Sequence, residues 1–214
     1  MARSKSVASN DPSTGELVYS CAVDLMYERG FHGTSMRDVA RSVGVQMSTL
    51  YHYFPSKQDL LMSIMTTAME DMTDRVTRAI AEIDDPREQL KAAVHAHIMF
   101  HADQLKEAVV ADTELRSLEG DDLKSIIALR DRYEEIFRTI IDSGQRVGEF
   151  RPSDSKLTTR AILGAITDVG NWYRPRGRLA LDAISAEYLD IFMSGINATT
   201  SAAAPVRRRS TTRR

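Results

Sequence analysis

Cysteine is almost missing from these 214 residues: Cys21 stands alone. That excludes an intramolecular disulfide and any zinc site built from several cysteines. Long apolar runs are missing too. The longest stretch free of Asp, Glu, Lys and Arg is 191–206, and its second half is Asn, Thr, Ser, Ala and Pro. Nothing approaches the roughly 18 apolar residues of a spanning helix. The opening MARSKSVASNDPSTG has no apolar segment behind its basic residues, so it does not read as a secretory signal. Catalytic signatures are lacking as well: there is no GxSxG, GxGxxG or P-loop pattern. Internal repeats of about 20–50 residues are absent. Aromatics are sparse at 7%, yet the 43% hydrophobic share is enough for a buried core. These features predict a soluble cytoplasmic protein that is not an enzyme, needs no cofactor and does not enter a membrane.

Charge is present in quantity but unevenly placed. Residues 1–60 carry six basic and six acidic side chains, whereas 61–200 carry 17 and 24, a net of −7. Residues 201–214 add five arginines and no acid. The acidic middle is a poor surface for a polyanion; the neutral front suits one if its charges are sorted by face. The tail APVRRRSTTRR reads as disordered, either a source of non-specific attraction to nucleic acid or a solubilising segment.

Helical periodicity dominates and strand alternation is nearly absent, which predicts an all-α fold of about nine helices. The expected spans are 16–29, 35–43, 47–53, 57–83, 86–101, 103–118, 121–144, 155–173 and 180–197. Gly30 ends the first, Thr34 is the expected N-cap of the second and Gly44 closes it. Pro55 disfavours helical geometry at Phe54, and Ser56 with Asp59 caps a long fourth helix. The expected organisation is a tail over 1–13, a three-helix helix-turn-helix domain over 14–60, a ligand-binding and dimerisation bundle over 61–198, and a tail over 199–214. The fourth helix is shared, because nothing linker-like precedes it.

The stretch TSMRDVARSVGVQMSTLYHYF carries the chemistry. A helix-turn-helix needs two helices crossing through a tight turn. Val39, Ala40 and Val43 give the first its buried side; Ala40 is small enough for a close crossing, Gly44 turns the chain and Val45 fills the corner. Leu50 and Phe54 anchor the second helix, leaving Gln46, Met47, Ser48, Thr49, Tyr51, His52 and Tyr53 outward. Such a face suits DNA: the hydroxyls bond phosphates, Gln46 reads adenine, and Met47 or Thr49 meets a thymine methyl. The alternative is an ordinary three-helix unit with aromatic-rich packing. Cationic support comes from Arg37, Arg41 and Lys57, the last near a helix N-terminus that favours phosphate.

From about Leu17 to Leu61, the segments YERGFHGTSMRDVARSVGV and STLYHYFPSKQDLL resemble the DNA-binding domain of the TetR family of bacterial transcriptional regulators. The resemblance implies a homodimer on a palindromic double-stranded operator. It implies phosphate contacts from Thr34, Arg37, Tyr51, Tyr53 and Lys57, and base contacts from Gln46, Met47, Ser48, Thr49 and His52. One departure is Ser48, where the family often has Gly or Ala before the Thr. Further on, GQRVGEFRPS and NWYRPRGRLALDAISAEYLDIFMSGI are similar to a branch responding to acyl-CoA esters. A CoA moiety needs cations, which Arg174, Arg176 and Arg178 offer unless they are only solvated turn residues. Arg160, Leu163, Thr167 and Asn171 form a stripe too poor in charge to hold a phosphate.

An effector cavity is expected from His97, Met99, Phe100, His101, Tyr133, Phe137 and Trp172, with Arg174 nearby. His97 and His101 have the i, i+4 spacing of a chelating pair, but no HExxH or ExxH pattern accompanies them, so pocket or core roles are expected and no metal. Met62, Met65, Met69 and Met72 read as core filler. Gly164, Ala165, Gly170 and Gly195 permit close approach, and Trp172, Tyr173, Tyr188, Ile191 and Phe192 supply area, for a dimer interface; the alternative is intramolecular core. Cys21 reads as an inert core thiol. The combined expectation is a repressor released by a small-molecule effector. The alternative is a small-molecule-binding bundle without operator-specific regulation.

Overall fold

The computed structural model describes residues 13–174 and 176–197. They form ten α-helices: α1 (Thr14–Arg29), α2 (Met36–Val43), α3 (Met47–Tyr53), α4 (Lys57–Ile80), α5 (Pro86–Asp103), α6 (Leu105–Thr113), α7 (Gly120–Arg146), α8 (Ser155–Thr167), α9 (Val169–Trp172) and α10 (Leu181–Ile196). A 3-10 turn, Glu114–Ser117, links α6 to α7. The one β feature among the described residues is an isolated bridge between Phe150 and Asn197. The all-α expectation holds. The expected tails lie outside the described residues except for Ser13, which caps α1 through a reciprocal box with Glu16.

Local chemistry sets the front of the chain. Ser35, not Thr34, caps α2: its hydroxyl accepts from the Asp38 N–H, and the Asp38 carboxylate accepts from the Ser35 N–H. Thr34 is unavailable because its buried hydroxyl donates to the Leu25 and Gly30 carbonyls at 3.1 and 3.0 Å. Gly44 turns with φ of 78°, a left-handed geometry that favours glycine, and the N–H groups of Gly44 and Val45 both bond the Ala40 carbonyl. Phe54 is extended ahead of Pro55, and Ser56 accepts from the Asp59 N–H to start α4.

With 24 residues, α4 is about 36 Å long. It packs on α1 at its start and on α5, α6 and α7 beyond it. Its buried face (Leu60, Leu61, Ile64, Met65, Ala68, Met69, Met72, Val76) belongs to one core cluster reaching from Val18 to Ile196. Cys21 is half-buried rather than sealed, with its thiol 3.3 Å from the Ser42 hydroxyl between α1 and α2.

The expected single helix over 155–173 is broken at Asp168. There the Asn171 side-chain amide donates to the Asp168 carboxylate and the Asn171 N–H to the Asp168 carbonyl, a local turn that leads into α9. The end of α10 is tied into the α7–α8 turn. The Arg151 N–H donates to the Ile196 carbonyl, and the Arg87 guanidinium bonds the Glu149 carboxylate, the Glu149 carbonyl and the Asn197 side chain.

Candidate nucleic-acid interface and ligand cavity

The face of α3 points as its sequence requires. Leu50 is fully buried, while Tyr51 and Tyr53 are 46% and 43% exposed. Gln46, Ser48 and His52 are exposed, and Met47 and Thr49 half-buried. Tyr53 leans on α1, where a Cβ at Gly15 would come 3.0 Å from its ring, and His52 packs edge-on to it. Beside α3, a concavity carrying two cations is lined by Ser35, Met36, Arg37, Met47, Tyr51 and Lys57. There the starts of α2 and α4 meet the recognition helix, an arrangement suited to a backbone phosphate. The alternative of rings packed inward is not what the structure has.

Thr34 is the exception among the expected DNA contacts. Only 2% exposed and with its proton committed to backbone carbonyls, its side chain braces the α1–α2 turn instead of reaching a phosphate. Lys57 is half committed: Nζ donates to the Phe31 and Thr34 carbonyls at 2.9 and 3.0 Å and sits over the Phe31 ring, leaving a third N–H. The same turn is gripped from the bundle. The Glu114 carboxylate accepts from the Phe31 N–H at 3.1 Å and from the Ser117 hydroxyl at 2.7 Å, and Gln58 donates to the Ser117 carbonyl. Its approach requires glycine at position 30, which has φ of 70° and would place a Cβ 3.2 Å from Glu114 Oε1.

A cavity of about 340 Å³ lies among α4, α5, α6, α7, α8 and α9. Ala68, Met69, Met72, Phe100, Ala108 and Leu163 give it an apolar end; His97, His101, Asp112, Arg130, Tyr133, Glu134, Thr167, Asp168 and Asn171 line the rest. His97 Nδ1 is 2.6 Å from the Tyr133 hydroxyl and Nε2 is 3.2 Å from the Thr167 hydroxyl. Burial, and next the His101 ring, hold His97 well below the usual histidine range, and burial pushes His101 down to about 4. Both rings are therefore neutral near neutrality. Burial also drives the Tyr133 phenol well up. Asp112, crowded by its neighbours though over a third of its side chain is open to solvent, is pushed up to about 6 by burial against the pull of Arg130 at 3.4 Å.

Four of the expected cavity residues, His97, Phe100, His101 and Tyr133, do line it. Phe137 and Met99 do not: Phe137 sits behind, its ring against those of His97 and Tyr133. Trp172 and Arg174, expected at the cavity, do not line it either. They line a separate surface groove with Arg178 and Ile184, and Arg174 donates to the Asn171 and Tyr173 carbonyls. Leu163, Thr167 and Asn171 face the cavity, while Arg160 pairs with Glu134 at 3.5 Å. Sequence reasoning missed Asp112 and Arg130, since only the fold pairs α6 with α7; Met69 and Met72 carried a signal in their helical spacing.

The expected dimer residues divide. Gly164 lines the cavity with open space beside it, and Gly170 packs under the His101 ring, where a Cβ would lie 3.1 Å from Nδ1, so only Gly170 owes its small size to the bundle's interior. Leu157 on α8 and Ile191 on α10 stand 69% and 62% exposed, with Trp172 also outward, and Tyr188 and Phe192 stack half-buried.

An outward hydroxyl-rich helix on a two-helix scaffold, braced on a hollow helical bundle, defines a helix-turn-helix DNA-binding transcriptional regulator. Residues 19–64 match the family described as "Bacterial regulatory proteins, tetR family", and 83–196 match "Tetracyclin repressor-like, C-terminal domain". The chain belongs to the TetR family. It is 26% identical over 185 residues to the HTH-type transcriptional repressor KstR2 of Rhodococcus jostii, covering 82% of this chain and 87% of the relative. It is 28% identical over 182 residues to the fatty acid metabolism regulator protein of Bacillus subtilis, covering 84% and 94%. The structure of AibR in complex with isovaleryl coenzyme A and operator DNA superposes with a TM-score of 0.79 at 25% identity, covering 84% of this chain and 97% of AibR. No described helix is long and apolar enough to cross a membrane.

Proposed function

We propose that the protein is a cytoplasmic repressor whose homodimer binds a palindromic operator and is released by a small acyl or lipid-like effector. The outward face of α3 carries this reading. Gln46, Met47, Ser48, Thr49 and His52 meet base edges, and Arg37, Tyr51, Tyr53 and Lys57 meet phosphates. The exposed apolar residues of α8 and α10 pair two subunits, and the recognition helices then stand about 34–36 Å apart, one turn of the duplex. An effector in the cavity presses on Met69 and Met72 and so tilts α4, whose other end carries the reading head. Release requires that the effector favour the tilted state, with a coupling of order 1–3 kcal/mol. Support for the effector class comes from the cavity's apolar end and from two relatives, one named for fatty acid metabolism and one crystallised with isovaleryl coenzyme A.

The test begins with operators selected from a random DNA pool. Fluorescence anisotropy on the selected duplex should give steeply salt-dependent binding. Tyr51→Phe should weaken selected and random DNA about equally, whereas Gln46→Ala should relax preference at a single base pair. Recovery of no preferred sequence, or equal losses on both duplexes for both variants, overturns the assignment.

A further inference from the structure

Hydrogen-bond arithmetic around His97 limits what the cavity accepts. The ring is buried and neutral, so one nitrogen donates and the other accepts. If Nδ1 carries the proton, it donates to Tyr133, Thr167 donates to Nε2, and the Tyr133 proton is left over. If Nε2 carries it, the roles exchange and the Thr167 proton is left over. Either way the chain Tyr133–His97–Thr167 keeps one unspent O–H, and both hydroxyl residues line the cavity.

The charges decide what acceptor that O–H can meet. Asp112, Glu134 and Asp168 face the cavity with Arg130 as the one cation among its lining residues. Arg130 is partly engaged, its NH2 donating to the Ala111 carbonyl at 2.8 Å and lying 3.4 Å from Asp112, while its buried Nε has no partner among the described residues. His97 and His101 supply no positive charge at neutral pH. An anionic head would meet three carboxylates against a single guanidinium. A cation would find Asp112 and Glu134 already paired with Arg130 and Arg160, and only Asp168, which holds the Asn171 amide, without a charged partner among the cavity's own lining residues. The volume of about 340 Å³ lies at the lower end of the roughly 300–1,000 Å³ of small-molecule pockets, which suits a compact body.

We propose that the cavity takes a compact uncharged amphiphile with a carbonyl-type acceptor, bonded by whichever hydroxyl of Tyr133 or Thr167 the His97 relay leaves unspent. The inference rests on the effector reading above and narrows it: the acyl group is sensed as a neutral carbonyl and not as a free acid. The tail of the ligand lies on Met69, Met72 and Phe100, and the relay reorients to suit the acceptor by moving one proton across the ring.

Titration calorimetry at pH 7.5 on the full chain, with 2-octanone, octanoate, octylammonium and octanoyl-CoA, tests this. The ketone should bind, with octanoate and octylammonium at least about tenfold weaker. Octanoyl-CoA binding tighter than the ketone identifies a thioester as the natural source of the carbonyl, and weaker binding a free neutral compound; both support the inference. Tyr133→Phe and Thr167→Val should each cost the ketone only about threefold, because the other hydroxyl takes over, while the double variant should lose about tenfold or more. Circular dichroism checks that each variant stays folded. Octanoate or octylammonium binding as well as the ketone, or a folded double variant with unchanged ketone affinity, overturns this inference and leaves a ligand-responsive repressor standing. Silence from all four probes also overturns it. Native mass spectrometry of freshly purified protein then decides the effector reading separately, by the presence of any bound small molecule.

Discussion

Two glycines on neighbouring helices behave oppositely at the residue scale. A Cβ on Gly144 would lie 2.1 Å from the Phe150 ring, whereas one on Gly164 would meet nothing within 4 Å. Alanine in a helix interior is worth about 0.5–1 kcal/mol over glycine, so Gly164→Ala should stabilise by that amount. Gly144→Ala has the same propensity gain but must displace a buried ring, and a net loss of about 1–3 kcal/mol is expected. Urea unfolding of both variants checks the pair, and a stabilised Gly144→Ala would contradict the packing. Thr34 makes a related point. Its sequence context reads equally well as a cap or a phosphate ligand, and only the position of the Leu25 and Gly30 carbonyls settles that it is neither.

Short helices depend on their ends. α2 has eight residues and the Ser35–Asp38 box satisfies donors at its start, so Ser35→Ala should cost about 0.5–2 kcal/mol. Faster amide exchange confined to the first turn of α2 would be its signature. Most elements were legible because their signals are local: Gly44 with a left-handed turn, Phe54 extended before Pro55, Ser56 ahead of α4, and the apolar face of α4 at helical spacing. The same holds for the outward face of α3, fixed once Leu50 is buried. The break at Asp168 was not legible, since the Asn171–Asp168 side-chain bond and the seating of Gly170 against His101 from another helix exist only in the folded chain. Trp172 and Arg174 line a neighbouring groove rather than the cavity, a difference that helical spacing alone did not reveal. Asp112 and Arg130 escaped notice because their pairing exists only after α6 and α7 pack.

Acid should weaken the whole molecule in a defined window. An unfolded histidine takes a proton near 6.5, but His101 in the fold resists until about 4 and His97 resists too. The unfolded chain therefore binds more protons as pH falls, and stability present above 6.5 is lost on the way to 4. From pH 7.5 to 5 the His101 share is on the order of 2 kcal/mol. Asp112, raised in the fold, acts in the opposite sense below about 6. Urea midpoints should fall across this range, and His101→Gln should flatten the decline. Assembly has its own test: Ile191→Glu places a charge on the exposed face of α10 and should yield folded monomers by sedimentation, while a persistent dimer would move the interface elsewhere.

The bond from Glu114 to the Phe31 N–H has a mechanical corollary. Reading head and hollow body meet along a seam besides the long strut, where Lys106 also pairs with Asp24 at 2.6 Å and α6 packs on α1. A molecule joined this way resists half-measures, because several contacts along that seam must part before its front can turn by itself.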